Sequence, residues 1–149
     1  MEKIENLYEQ RSQLQEKAIA IFHELEKEVN TTSEEWNALG HELYMLQLTV
    51  DSESAYLNAA RIAETYSGSD RKALIVIYGD LAGVYEDLEE YEKSHHYLKK
   101  SYEIRCEFYG KDNLFSRMSA DRLRKLKLFM QYAPDKKLID ELKQASAHQ

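Results

Sequence analysis

A chain of 149 residues has the size of one domain, large enough to bury a core but too short for two comfortable ones. Hydrophobic residues make up 43% and charged residues 32%, with five Gly and one Pro, which excludes a disordered tail and favours an all-helical protein. The net charge of -7 is uneven, because residues 1–110 hold 11 Lys and Arg against 22 Asp and Glu, whereas residues 111–149 hold 9 against 5. An acidic body therefore continues into a basic C-terminal part.

The compartment is predicted from the cysteine and from the apolar runs. Cys106 is the single cysteine and cannot form a disulfide within the chain, and no N-terminal segment has the pattern of a secretory leader. The longest apolar run, residues 73–78, is too short to cross a bilayer. We expect a reducing, cytoplasmic setting and no membrane segment.

Two long helices are predicted in the N-terminal third of the chain. Apolar side chains at steps of three and four, from Ile4 onward, predict one helix over residues 2–29. Thr32 and Glu35 have the spacing of a capping box, in which each residue satisfies a backbone N–H of the other. They predict a second helix that begins there and ends near Leu48.

Each of the five helices that follow is delimited by a residue that caps or breaks a helix. The third helix is predicted at residues 51–66 and is stopped by Gly68, and the fourth is predicted at 70–88 and starts at Asp70. The fifth is predicted at 90–108 and is stopped by Gly110. The sixth, at 112–133, starts at Asp112 or Asn113 and ends before Pro134, and the seventh, at 135–145, is capped by Asp135. The periodicity and the capping residues thus predict about seven helices, joined by short turns, over residues 2–145.

The sequence repeats with a period of 42 residues. Large, small and capping residues fall on residues of the same kind after this shift: Trp36 on Tyr78, Gly40 on Ala82, Ser52 on Ser94, Ala59 on Ser101, Ile62 on Ile104 and Gly68 on Gly110. Small residues let antiparallel helices approach closely, and large residues fill the space between them. Each helix pair alone leaves an apolar face exposed, so stacked pairs are expected.

These residues resemble the tetratricopeptide repeat. The signature of the family is matched by Tyr78, Leu81, Ala82, Tyr85, Tyr91, Ser94, Leu98 and Ser101, and again from Trp36 to Ile62 except that Thr49 replaces the aromatic residue of the turn. The period looks like the long variant of kinesin light chains. The resemblance implies an all-α, helical-hairpin solenoid of about seven antiparallel helices.

The resemblance also implies how a single domain over residues 1–149 is divided. Its parts would be an N-terminal capping helix at 1–30, a first repeat at 32–69, a second repeat at 70–111, and a degenerate repeat or C-terminal cap at 112–147. The last part departs from the family because only Leu123 keeps its place, while Arg124 and Lys127 occupy the small and Tyr positions.

A concave groove, lined by the first helix of each pair, is the binding surface that the resemblance implies. Carried over by position, its residues are Asn37, His41, Tyr44, Met45, Val76, Gly79, Asp80, Gly83, Glu86, Asp87, Arg122 and Lys125. If the register persists, Met118, Asp121, Leu128 and Phe129 extend the set. The acidic centre at Asp80, Glu86 and Asp87 would repel an anionic peptide end, so a basic or amphipathic segment is the expected occupant.

Two glycines stand one turn apart at groove positions, where each lowers helix propensity by about 1 kcal/mol relative to Ala. Gly79 and Gly83 would leave a shallow floor of bare backbone on which another helix can lie. That helix could belong to a partner or be the N-terminal segment of this chain.

Catalytic and metal signals are weak. His23-Glu24 and His41-Glu42 begin like zinc-protease helices, but Lys27 and Met45 stand where the second His is needed. The chain has no glycine-rich phosphate loop, no nucleophile elbow and no distinctive pair of carboxylates. We therefore expect no enzyme, no metal and no cofactor.

The expected function is a non-catalytic protein-interaction module that binds a peptide or helix of a partner protein. Two alternatives stay open: a regulatory or peptide-sensing repeat protein, and a scaffold that forms homo-oligomers through its oppositely charged ends. A basic run, Arg117, Arg122, Arg124, Lys125 and Lys127, could contact phosphates. Nucleic acid is not the expected partner, because the protein is acidic and no stacking aromatic residues accompany this run.

Overall fold

The computed structural model describes residues 1–65, 69–132 and 136–147. Within these ranges the chain forms only helices: α1 (Glu2–Lys27), α2 (Ser33–Met45), α3 (Thr49–Thr65), α4 (Ser69–Asp87), α5 (Tyr91–Tyr109), α6 (Leu114–Tyr132) and α7 (Lys136–Ala147). The predicted all-α fold is confirmed. Tyr66, Gly68, Pro134 and Asp135, which were predicted to delimit helices, lie outside the described residues.

Two helix starts follow from the side chains that satisfy their first N–H groups. The Thr32 N–H donates to Glu35 Oε2 at 2.8 Å, and the Glu35 N–H donates to Thr32 Oγ1 at 3.2 Å, so the predicted capping box is present. At α6 the Phe115 N–H donates to Asn113 Oδ1 at 2.9 Å. Asn113, and not Asp112, is therefore the residue that caps α6.

The second helix was predicted to reach Leu48, and this is wrong: α2 ends at Met45. Gln47 adopts a positive φ of 61°, and the Leu48 N–H donates to the Leu43 carbonyl at 2.9 Å. This is the geometry of a Schellman turn, in which glycine is the usual residue at positive φ. Because glutamine stands there instead, the sequence carries no visible stop signal.

The same turn recurs 42 residues later, between α4 and α5. Glu89 has a φ of 58°, and the Glu90 N–H donates to the Tyr85 carbonyl at 2.8 Å. The contact between the two helices of each pair recurs as well, because Ser52 and Ser94 each donate through Oγ, at 2.8 Å, to the carbonyls of Gly40 and Ala82. The period seen in the sequence is thus a period of hydrogen bonds in the fold.

Consecutive helices from α2 to α6 pack side by side, and α2 also contacts α4. The main core lies among α1 to α5 and includes Trp36, Leu43, Tyr56, Leu81 and Tyr85, all nearly inaccessible to solvent. A smaller core of Ala82, Leu98 and Leu126 attaches α6 to the stack. Stacking of helix pairs on one another is the solenoid architecture predicted from the repeat.

The N-terminal helix packs at one end of this stack. The Phe22 ring contacts Trp36 edge to face at 5.4 Å between centroids, and Gln15 Nε2 donates to the Leu46 carbonyl at 2.8 Å. The main packing partner of α1 is therefore α2. No α1 residue lines the cavities found along α4 in the described part of the chain, so α1 does not fill the groove there.

No helix within residues 1–65, 69–132 and 136–147 combines the length and the apolar character needed to span a bilayer.

Candidate functional site

The candidate groove runs along α4, with α2 on one side and α6 on the other. Its floor lacks side chains at Gly83, where an added Cβ would meet no atom within 4 Å. At Gly79 an added Cβ would meet only the Ser101 hydroxyl, at 3.8 Å. The space above Gly83 is therefore open, and an alanine methyl would also fit at Gly79.

A cavity of about 270 Å³ occupies the part of the groove between α2 and α4. We call it the acidic cavity, and it is lined by His41, Tyr44, Met45, Tyr56, Gly79, Asp80, Gly83 and Arg122. Seven of these eight residues belong to the predicted groove. The repeat register thus brings residues from three helices around one space.

Asp80 is the half-buried carboxylate of the acidic cavity. Burial raises its pKa above the usual range, and the charges of His41 and Arg122 oppose this rise. In the described residues Asp80 accepts no hydrogen bond, although it lines the cavity. A carboxylate that is partly desolvated and lacks a donor can accept hydrogen bonds from a ligand.

Two other groove acids are occupied by partners within the chain. Tyr44 Oη donates to Asp87 Oδ2 at 2.5 Å, which joins α2 to α4, and this hydrogen bond is the first cause of the raised pKa of Tyr44. Arg122 Nη2 lies 3.0 Å from Glu86 Oε1, which joins α6 to α4. Asp87 and Glu86 therefore connect the helices of the groove, and Asp80 differs from both.

Apolar contact area is available beside these polar groups. Met45 lies at the C-terminal end of α2 with 65% of its surface exposed, and Val76 lies on α4 with 55% exposed. Both were predicted groove residues. Asn37, which was also predicted there, is half-buried and lines none of the cavities found along α4 in the described chain.

A second cavity, of about 480 Å³, continues the groove between α4 and α6. We call it the adjoining cavity, because it shares Gly79 and Arg122 with the acidic cavity. The predicted Lys125 lines it, and so do Met118 and Asp121. The Lys125 ammonium lies 2.9 Å from Asp121 Oδ2, so it is already paired within α6.

Sequence reasoning missed six residues that line these cavities: Tyr56, Leu98, Ser101, Arg105, Phe115 and Ser119. Tyr56 and Arg105 lie on α3 and α5, the second helices of their pairs, whereas the prediction counted first helices alone. A signal for Tyr56 was present, since the small Gly40 on the neighbouring helix leaves room for its ring. No comparable signal marks Arg105.

The described residues contain no group of three or more His, Cys, Asp or Glu that could hold a metal ion. Comparison with curated proteins and comparison with solved structures gave no significant match. The family model described as tetratricopeptide repeat matches residues 28–107, more than half of the chain. This match covers the two helix pairs whose turns and Ser hydrogen bonds repeat after 42 residues, and the chain belongs to the tetratricopeptide repeat family.

Proposed function

We propose that this protein binds a helical or extended segment of a partner protein in the groove along α4, and that Asp80 receives a Lys or Arg of that segment. Tetratricopeptide repeats are in general protein-interaction modules and typically non-catalytic, which supports the class of partner. The observation that carries the finer proposal is Asp80 itself, a half-buried carboxylate without a hydrogen bond among the described residues, beside a floor of bare backbone.

The surroundings of Asp80 support a basic or amphipathic segment. An approaching ammonium or guanidinium would meet a carboxylate whose neighbours Glu86 and Asp87 are already bonded to Arg122 and Tyr44. Met45 offers apolar contact at the rim of the same cavity. A segment that carries one cation among apolar residues would satisfy both features.

Changing Asp80 to Asn is expected to weaken binding of a groove peptide by about 10- to 100-fold, the effect of losing a charge-assisted hydrogen bond. The same change should raise the melting temperature. Because burial raises the pKa of Asp80, its ionised form costs folding free energy at neutral pH, and stability would grow as the pH falls toward that pKa. Asparagine removes this cost.

The measurement uses peptides selected from a random phage-display library against the wild-type protein, with affinities from fluorescence anisotropy. Glu42→Gln is the matched control, since Glu42 is exposed on α2 and lines none of the cavities along α4 in the described chain. Equal affinities of the wild type and Asp80→Asn for Lys- or Arg-containing peptides would contradict the proposal.

Self-assembly is a second candidate function, favoured by two exposed apolar rows with flanks of opposite charge. On α1 the row is Ile4, Leu7, Tyr8, Leu14 and Ile21, and on α6 it is Leu114, Phe115, Met118, Leu128, Phe129 and Tyr132. Helix α1 carries six Glu and four Lys or Arg, whereas α6 carries five Lys or Arg and one Asp. The acidic row of one copy could pack on the basic row of another.

If this assembly forms, light scattering should show a molar mass above that of the monomer at about 0.02 M salt and a lower mass at about 0.5 M, where charges are screened. Leu7→Glu should abolish the larger species, because Leu7 is exposed in the apolar row. Ala20→Glu adds the same charge at an exposed position about 100° or more around α1 from every residue of the row, and should have no effect. A monomer at both salt concentrations would exclude this function.

A further inference from the structure

Arg105 of α5 lies where two cavities meet. It lines the adjoining cavity and also a third cavity of about 590 Å³, which we call the Arg105 cavity, and Phe115 lines both as well. The Arg105 Nε atom is buried and has no hydrogen-bond partner within the described residues. A buried donor without an acceptor destabilises the fold, so this N–H is a candidate for an acceptor from outside the chain.

The Arg105 cavity combines apolar walls with cations. Val76 and Phe115 are more than half exposed on its walls, and Tyr109 contributes a third apolar surface. Its cations lie over aromatic rings: Lys72 Nζ is 5.0 Å from the Tyr109 centroid, and Arg105 Cζ is 6.0 Å from the Phe115 centroid.

No carboxylate accompanies these two cations. The described lining of the cavity contains no Asp or Glu, and neither Lys72 nor Arg105 has an ion pair in the described part of the chain. Elsewhere the cations near the groove are paired, as Arg122 is with Glu86 and Lys125 with Asp121. The cavity therefore lacks an anionic acceptor for its two cations, and a ligand that supplies one would also contact apolar walls.

We propose that the Arg105 cavity receives an Asp or Glu side chain of the partner segment, together with an apolar residue next to it. The proposal rests on the proposed function, since one segment would cross all three cavities. Neighbouring cavities share lining residues: the acidic and adjoining cavities share Gly79 and Arg122, and the adjoining and Arg105 cavities share Arg105 and Phe115. The partner segment would carry a cation for Asp80 at one end and an acid for Arg105 at the other.

A peptide fits this arrangement better than a nucleic acid. A phosphate chain that reached Arg105 along the groove would have to pass Asp80 and Asp121, and the protein carries a net charge of -7. A peptide can alternate its charges to match. The carboxylate of an acidic side chain can also accept two N–H bonds from one guanidinium.

The test selects peptides from one random phage-display library against three proteins: the wild type, Asp80→Asn and Arg105→Met. Methionine keeps much of the apolar stem of arginine and removes the charge. Peptides selected by the wild type should combine Lys or Arg with an Asp or Glu next to an apolar residue. Arg105→Met should lose the acidic preference and keep the basic one, and Asp80→Asn should do the reverse.

A selected peptide then allows a quantitative check by anisotropy. Arg105→Met should weaken its binding by roughly 10- to 100-fold, and changing the acid of the peptide to its amide should add little further loss in that variant. Arg117→Met is the matched control, because Arg117 is an exposed cation of α6 that lines none of the cavities along α4 in the described chain. The melting temperature of Arg105→Met should change little, since its buried Nε loses no hydrogen bond and only the contact of the guanidinium with the Phe115 ring is removed.

Two outcomes separate this inference from the proposed function. The inference alone is overturned if the selected peptides show a basic preference that depends on Asp80 but no acidic preference. It is also overturned if they show an acidic preference that Arg105→Met leaves intact. Absence of any preference that depends on Asp80 overturns the proposed role of Asp80. Binding of a labelled single-stranded DNA that depends on Arg105 and exceeds peptide binding would also overturn the inference, because the anion would then be phosphate.

Discussion

Gly40→Ala is expected to lower the free energy of unfolding by about 1–3 kcal/mol, although alanine is the better helix former. An added Cβ would lie 2.8 Å from two ring carbons of Tyr56, closer than carbon atoms approach without displacement. Tyr56 is 2% exposed in the core, so a shift of its ring would disturb the residues packed around it. Alanine would therefore force α2 and α3 apart, and the Ser52 hydroxyl would lose its close approach to the Gly40 carbonyl.

Gly83→Ala is the matched control for this prediction, because the same substitution on α4 meets nothing within 4 Å. Without a clash, the gain in helix propensity should raise the free energy of unfolding by up to about 1 kcal/mol. Urea denaturation followed by circular dichroism measures both variants. If Gly40→Ala proved as stable as the wild type, the close packing of α2 on the Tyr56 ring would be wrong.

Gly83→Ala also tests the groove. A methyl group above Gly83 would occupy the space in which a partner helix lies closest to α4, so peptide affinity should fall while stability rises. Unchanged affinity in a stabilised variant would mean that no ligand contacts this floor.

The fold was predictable because its determinants are local and repeated. Thr32 with Glu35 specifies a helix start, and Gly40 with Ala82 and Ser52 with Ser94 mark the close contacts within each pair. The early end of α2 was not predictable, since Gln47 has no side-chain property that announces a positive φ. Packing of the neighbouring helices fixes that turn.

The groove was predictable only in part, for a related physical reason. Repeat register places Asp80, Glu86 and Asp87 on one face of α4, but it does not show which acid is already bonded. Tyr44 lies 43 residues from Asp87 in sequence, and Arg122 lies 36 residues from Glu86, so both bonds depend on how the helices stack. Arg105 was missed because it reaches the groove from the second helix of its pair.

Alkaline unfolding is expected to be steep above about pH 10, the ordinary pKa of tyrosine. Tyr56, Tyr78 and Tyr85 are buried, and burial is the first cause that raises the pKa of each. Tyr78 Oη also donates to Glu64 Oε1 at 2.5 Å, and Tyr85 Oη donates to Glu53 Oε1 at 2.9 Å. These hydrogen bonds require the protonated phenol.

The sign follows from proton linkage. The folded state holds these three protons more tightly than the unfolded chain, so their stabilisation is complete below about pH 10 and is lost as the pH rises toward the folded pKa values. Each tyrosine contributes a loss of about 1.4 kcal/mol per pH unit, or about 4 kcal/mol for all three. Because domains are stable by about 5–15 kcal/mol, unfolding should fall within a few pH units above 10.

Helical circular dichroism and tyrosinate absorbance, recorded together against pH, should therefore change in one transition. Tyr85→Phe keeps the ring and removes one proton-binding group. When the two proteins are compared at equal initial stability, the slope of its transition should be smaller by at most about a third. Tyr132→Phe is the control, because Tyr132 is 77% exposed, whereas Tyr85 is buried. A tyrosinate signal that is complete while the helices remain folded would show that the phenols ionise inside the native stack, and the linkage between their burial and its stability would be wrong.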